Sequence, residues 1–138
     1  MVCIDINGFG KINERYGYQV GDQIIIQYAQ RLLKLATDSS LPIGHIYRSE
    51  GDEFVVLTTP LDATENQLKY LYAKINEISA DIFDTEHAKV QLTVKVCAAI
   101  YPEHAETVDQ LIMSAKLALN YSRRKQNKLC ILDSAVFK

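Results

Sequence analysis

No apolar run in this sequence approaches the roughly 20 residues a helix needs to cross a bilayer. No basic-then-apolar leader opens it either, so neither a membrane span nor a secretory signal is expected. Cysteine is scarce: Cys3, Cys97 and Cys130 are the only three. An odd number with no Cys-x-x-Cys pair excludes a disulfide framework, a zinc site of that type and dithiol redox work. Each cysteine falls inside an apolar run, as buried reduced thiols of a cytosolic protein do. Long basic blocks are absent and the formal net charge is -2, which excludes the electrostatic footprint of a protein that tracks nucleic acid. One short cluster, Arg123, Arg124, Lys125 and Lys128, reads either as a solvated helix end whose cations suit the C-terminal dipole or as an anion contact. Internal repeats and low-complexity linkers are missing apart from the tail 133–138, which is read as a linker towards a downstream domain.

What is present is ordinary for a folded protein: 48% hydrophobic and 23% charged residues over 138 positions, enough for one domain with a single core. Val2 to Ile6 is an apolar run broken only by Asp5 and reads as a strand. Gly8 to Tyr16 reads as a short loop with one or two helical turns, closed by Gly17. From Gly21 to Ala36 the residues Ile25, Tyr28, Ala29, Leu32 and Leu33 recur at helical spacing, which predicts an amphipathic helix packed on a sheet. Asp38 to Gly44 is a loop by composition. His45 to Ser49 and Phe54 to Thr58 are β-prone and flank Glu50-Gly51-Asp52-Glu53, a hairpin tip. Leu68, Leu71, Tyr72, Ile75, Ile78 and Ile82 predict a second long helix. Leu92 to Tyr101 alternates, with Leu92, Val94, Val96, Ala98 and Ile100 on one face, and Pro102 ends this central strand. Thr107 and Gln110 form a capping box for a third long helix with Val108, Leu111, Ile112, Ala115, Ala118 and Leu119 inward. Leu129 to Leu132 supplies a last strand. The order predicts an α+β sheet covered by helices.

Two carboxylates far apart in sequence, Asp5 inside a strand and Asp52 at the hairpin tip, would meet if their strands are neighbours. One or two carboxylates plus substrate phosphates suffice for magnesium, and bound metal serves in-line phosphoryl displacement. The plain structural alternative is that Asp5 is a solvated strand end and Gly51-Asp52 is turn chemistry.

The segment Asp5-Ile6-Asn7-Gly8-Phe9-Gly10-Lys11-Ile12-Asn13-Glu14-Arg15-Tyr16-Gly17-Tyr18-Gln19-Val20-Gly21-Asp22 resembles the D-x-D-x-F-K-x-x-N-D-x-x-G-H-x-x-G-D pattern of the GGDEF family. Arg48-Ser49-Glu50-Gly51-Asp52-Glu53-Phe54 is similar to its R-x-G-G-D-E-F signature. Ala99 to Pro102 and Ala115 to Asn127 resemble the strand and final helix that follow. The resemblance implies a palm-like fold similar to that of adenylyl cyclases, with a central, mostly antiparallel sheet of about five strands. It also implies a GGDEF domain over residues 1–132 that lacks the family's D-x-L-T-G-L-x-N-R segment, as though the chain were a piece of a longer one. The activity implied is diguanylate cyclase chemistry, in which two GTP-bearing domains meet so that each 3′-hydroxyl attacks the other's α-phosphate. By match, Asp5, Asp52 and the Ile6 carbonyl would hold Mg2+ with GTP, and Glu53 would stand with Asp52 beside the reacting phosphates. Phe9, Gly51 and Arg123 would contact the nucleotide. Asn13 and Asp22 would read guanine, whose N1–H and amino donors suit a carboxylate; the alternative for this pair is helix capping.

Several positions depart from the family. Glu50 replaces the first Gly of the signature, adding bulk and negative charge near phosphates. Gly10 replaces a phosphate-binding Lys and Asn127 an Arg, so two cations are missing, with Lys11 and Arg123 as partial substitutes. Asn7, Tyr18 and Cys97 are milder changes. Leu41 and Gly44 fail to match the R-x-x-D product-inhibition motif, so feedback binding there is not expected. These features together predict a degenerate GTP-binding regulatory module with weak or no cyclase activity. The alternatives are an active homodimeric cyclase and a structural or dimerising domain without nucleotide. An attached EAL phosphodiesterase or sensory domain, no nucleic acid, no direct membrane contact and a cytoplasmic location complete the expectation.

Overall fold

The computed structural model describes residues 1–61, 64–99, 107, 109, 110, 113, 117 and 129–131. Val2–Ile6 forms β1, and all five of its residues are buried. Gly8 turns the chain at φ 65° into α1, Phe9–Tyr16, and this left-handed conformation suits a residue with no Cβ. Gly17, at φ 90°, separates α1 from α2, Tyr18–Leu35. The second helix thus begins earlier than its apolar pattern suggests. Two antiparallel strands follow, β2 (Ile43–Glu50) and β3 (Glu53–Thr58). Then come α3 (Thr64–Ala80), a two-residue pair β4 (Phe83–Asp84) and β5 (Lys89–Val90), β6 (Val94–Ala98) and β7 (Leu129–Ile131).

The main sheet has five strands in the order β2-β3-β1-β6-β7. Its first three pairings are antiparallel and β6 with β7 is parallel, so the α+β, mostly antiparallel arrangement is met. β1 lies in the middle, and register puts Ile4 between Phe54 and Val96 and Asp5 between Glu53 and Lys95. Directly opposed residues share a sheet face. Val2, Ile4, Ile6, Phe54, Val56, Val94 and Val96 therefore make one apolar face, and it packs into a single core with Ile24, Tyr28 and Leu32 of α2 and Leu71 and Ile75 of α3. Tyr28 anchors this layer, its ring 5.3 Å from that of Phe54 and 6.0 Å from that of Phe83. Its hydroxyl meets Ser79 Oγ at 2.9 Å, and Ser79 donates to the Ile75 carbonyl at 2.7 Å. Burial pushes the Tyr28 hydroxyl pKa up to about 12, against smaller opposing effects of the Ser79 hydrogen bond and the Arg31 charge.

Some expectations shift. Leu33, expected inward, is exposed, because the buried stripe of α2 runs through Val20, Ile24, Ile25, Tyr28 and Leu32. α3 stops at Ala80, leaving Ile82 exposed. There Arg31 closes the helix end: its guanidinium donates to the carbonyls of Ile78 (2.7 Å), Asp81 (2.8 Å) and Ile82 (2.6 Å) and lies 3.6 Å from the Phe83 ring centroid. Of the predicted capping box, the threonine half is seen, with the Gln110 N–H donating to Thr107 Oγ1 at 3.2 Å. Most of the third long helix, the Ile100–Pro102 strand end, Arg123, Asn127 and the tail lie outside the described residues. Cys3 and Cys97 are buried thiols, as expected. Among the described residues, no helix is long and apolar enough to cross a membrane.

Candidate functional site

The C-terminal end of β1 meets the tip of the β2–β3 hairpin. The Ile6 N–H donates to the Asp52 carbonyl at 3.1 Å, so the main chain ties the two segments together. Gly51 makes the tip at φ 37°, a value that an L side chain rarely adopts. Arg48 Nε then donates to the Gly51 carbonyl at 2.8 Å, bracing the turn. On the other side, the Asn7 N–H donates to the Thr93 carbonyl at 2.9 Å and Asn7 Nδ2 to Thr93 Oγ1 at 3.1 Å.

These ties enclose a cleft of about 410 Å³, lined by residues 5–10 together with Asp52 and Lys95. Asp5 is 3% exposed and Asp52 is half-buried, and both line it. A carboxylate buried to that degree needs a cation or hydrogen-bond donors close by. The donor set is hard oxygen, two carboxylates in an open cleft, and it fits magnesium, which keeps water and phosphate ligands. Among the described residues, no group of three or more His, Cys, Asp or Glu side chains gathers to hold a metal.

Of the other expected site residues, Phe9 and Ile6 line the cleft, whereas Gly51 makes the hairpin tip next to Asp52 and is not among the lining residues. Glu53 opens β3 and its Oε2 accepts from Ser49 Oγ at 3.3 Å. Glu50 is exposed and is not among the residues lining the cleft. Asn13 lies within α1 and Asp22 in the second turn of α2. Neither caps a helix, since Gly8 and Gly17 occupy the N-cap positions. The two helices cross tightly at Gly21, where a Cβ would collide with Asn13 Oδ1 and stand 3.3 Å from Phe9 Cζ. Asn13 and the residue preceding Asp22 are therefore in contact. Arg123 lies outside the described residues.

Lys95 is the residue that motif matching missed. It is half-buried on β6, opposite Asp5, and lines the same cleft. The sequence does carry a signal for it: Asp5 and Lys95 are lone, opposite charges in two apolar strands, each on the face away from the main core.

Against this geometry, the family model described as "Diguanylate cyclase, GGDEF domain" matches residues 1–128. The chain is 31% identical over 125 residues to the diguanylate cyclase TpbB of Pseudomonas aeruginosa, covering 91% of this chain and 28% of that protein. It is 26% identical over 142 residues to the bifunctional diguanylate cyclase/cyclic di-GMP phosphodiesterase MucR of Pseudomonas aeruginosa, covering 99% of this chain and 19% of that one. Among solved structures, the GGDEF domain of TpbB (YfiN) from Pseudomonas aeruginosa superposes with a TM-score of 0.81 at 25% identity, covering 96% of this chain and 80% of that domain structure. The chain spans less than a third of the length of these two curated relatives.

Proposed function

This chain belongs to the GGDEF family of cyclic di-GMP signalling, related to diguanylate cyclases, and on that premise we propose that it is a GTP-binding regulatory module with weak or no cyclase activity. The observation that carries the reading is the convergence of Asp5 and Asp52 on one cleft with the strand-to-helix turn 6–10. In this reading Asp5, Asp52 and the Ile6 carbonyl hold magnesium under the nucleotide phosphates. Bound there, the metal offsets negative charge developing on the phosphates. Phe9 shapes the phosphate-side wall, Gly51 makes the hairpin tip next to Asp52, and Glu53 faces the reacting end. Asn13 and Asp22 read the guanine edge, and an adenine edge would leave their acceptor unmatched. The missing cation at Gly10 and the Asn at position 127 support reduced affinity. Each lost charge-assisted hydrogen bond weakens binding by roughly tenfold or more.

One observation favours a working cyclase instead. Glu50, the most visible change in the signature, is exposed and stands outside the cleft lining, so it leaves room for nucleotide. Turnover would then need a second copy, each domain presenting its GTP to the other. The relative MucR, named as both cyclase and phosphodiesterase, supports an attached phosphodiesterase domain of the EAL type as the regulated partner.

Titration calorimetry of GTP in the presence of magnesium is the test. The expected outcome is metal-dependent binding that Asp52→Ala weakens at least tenfold, with little cyclic di-GMP formed in a chromatographic assay. Undiminished metal-dependent affinity in Asp52→Ala overturns the site, and rapid product formation selects the cyclase reading.

A further inference from the structure

We infer that Lys95 is a phosphate-binding residue of this cleft, a cation supplied from β6 in place of the one that α1 lacks. The inference rests on the GTP-binding reading above and names which of the chain's own side chains would neutralise the polyphosphate.

Three observations on the page converge. Gly10 and Lys95 line the same cleft, although they are remote in sequence. At Gly10, where a side chain would project, nothing lies within 4 Å of an added Cβ, so the cleft is open on that wall. Lys95 is held opposite Asp5 by strand register, and it is the cation among the residues that line the cleft.

Charge decides what that cation can do. Asp5 and Asp52 together outweigh one ammonium, so the cleft keeps a net attraction for a divalent ion even with Lys95 present. A magnesium–triphosphate unit remains anionic overall, and it needs a further positive group that does not compete for the metal's oxygen ligands. An ammonium on a flexible four-carbon stem is a rotatable point charge. From a half-buried base it can turn from the carboxylates towards phosphate oxygens at the open side, where no arginine fork is required.

The test compares wild type, Lys95→Met, Lys95→Arg and the double variant Gly10→Lys with Lys95→Met. Titration calorimetry would use GTP with magnesium, inorganic tripolyphosphate with magnesium, and manganese alone. Thermal melting would confirm that each variant is folded; Met matches the lysine stem in volume, and Arg serves as a second, charge-conserving change. The expected result is a roughly 10- to 100-fold weaker Kd for both phosphate ligands in Lys95→Met. Affinity should largely persist in Lys95→Arg, recover in the double variant, and show a shallower dependence on salt wherever the charge is absent. Equal GTP and tripolyphosphate affinity in wild type and Lys95→Met overturns the inference while leaving the GTP reading intact. Tripolyphosphate binding that depends on Lys95, with no preference for GTP, keeps the inference and removes the guanine reading. Tighter manganese binding in Lys95→Met with unchanged phosphate affinity also overturns it, because Lys95 would then be an internal counter-ion of Asp5 and Asp52. Absence of binding by wild type to both phosphate ligands removes both proposals.

Discussion

At the scale of single residues, Gly21 separates folding from recognition more cleanly than any carboxylate does. Its lack of a Cβ lets Asn13 and Phe9 of α1 lie directly against α2. In Gly21→Ala the added carbon meets the end of a short side chain, which can rotate away, while helix propensity improves by about 1 kcal/mol. The variant is therefore expected to melt cooperatively near the wild-type temperature. Because Asn13 is displaced, its preference for GTP over ATP should fall about tenfold or more in competition binding. A retained preference would show that Asn13 does not read the base. Gly51 is glycine for a different reason: its φ of 37° is a backbone requirement that any side chain would strain.

At the scale of elements, Arg31 is the clasp between α2 and the end of α3. It donates to one carbonyl of the last turn of α3, that of Ile78, which a helix terminus leaves without an intrahelical partner, and to those of Asp81 and Ile82 just beyond the helix, and it covers the Phe83 ring. Two of these hydrogen bonds are solvent-exposed, so Arg31→Met should cost about 1–2 kcal/mol. Calorimetric melting would register that as a drop of roughly 4–8 °C. The elements themselves were largely legible. The apolar run of β1, the alternation in β6, the helical spacing in α2 and α3, and the turn chemistry at Gly51 reflect local rules that do not depend on the partner. Three features were not legible, each for a physical reason. β4 and β5 are two residues each, too short for any period to show. The stripe of α2 is rotated so that Leu33 faces solvent, because the buried side of the helix runs through Val20, Ile24, Tyr28 and Leu32, with Tyr28 seated on Phe54 of β3. Lys95 belongs to no matched motif, and its place beside Asp5 follows only from strand register, which sequence leaves open until the sheet order is known. The Asp5–Asp52 convergence on one cleft was only suggested by the strand and hairpin positions, where turn chemistry was an open alternative, and it took the resemblance to the family's motifs to single the pair out.

At the scale of the whole molecule, one core under a five-stranded sheet makes stability a global property, and Tyr28 reports it. Its hydroxyl pKa is pushed up to about 12 in the folded chain, against about 10 when unfolded. The folded state therefore holds the tyrosine proton more tightly. The corresponding stability, on the order of 2–3 kcal/mol, is fully present below pH 10 and is lost as the pH rises through about 12. Melting temperature should accordingly fall faster between pH 10 and 12 in wild type than in Tyr28→Phe, in which Ser79 still donates to Ile75. Parallel slopes would show that the hydroxyl is not buried in solution.

The cleft also has an order of assembly written into its strand positions. Its acidic members come from β1 and the hairpin tip, whereas its lysine comes from β6, far later in the chain. On a ribosome, where N-terminal segments emerge first, Asp5 and Asp52 can be brought together by the growing β1–β3 pair before Lys95 has been synthesised. A nascent intermediate would thus expose an uncompensated acidic notch, and the arrival of the sixth strand would both cover the open edge of β1 and neutralise part of that charge.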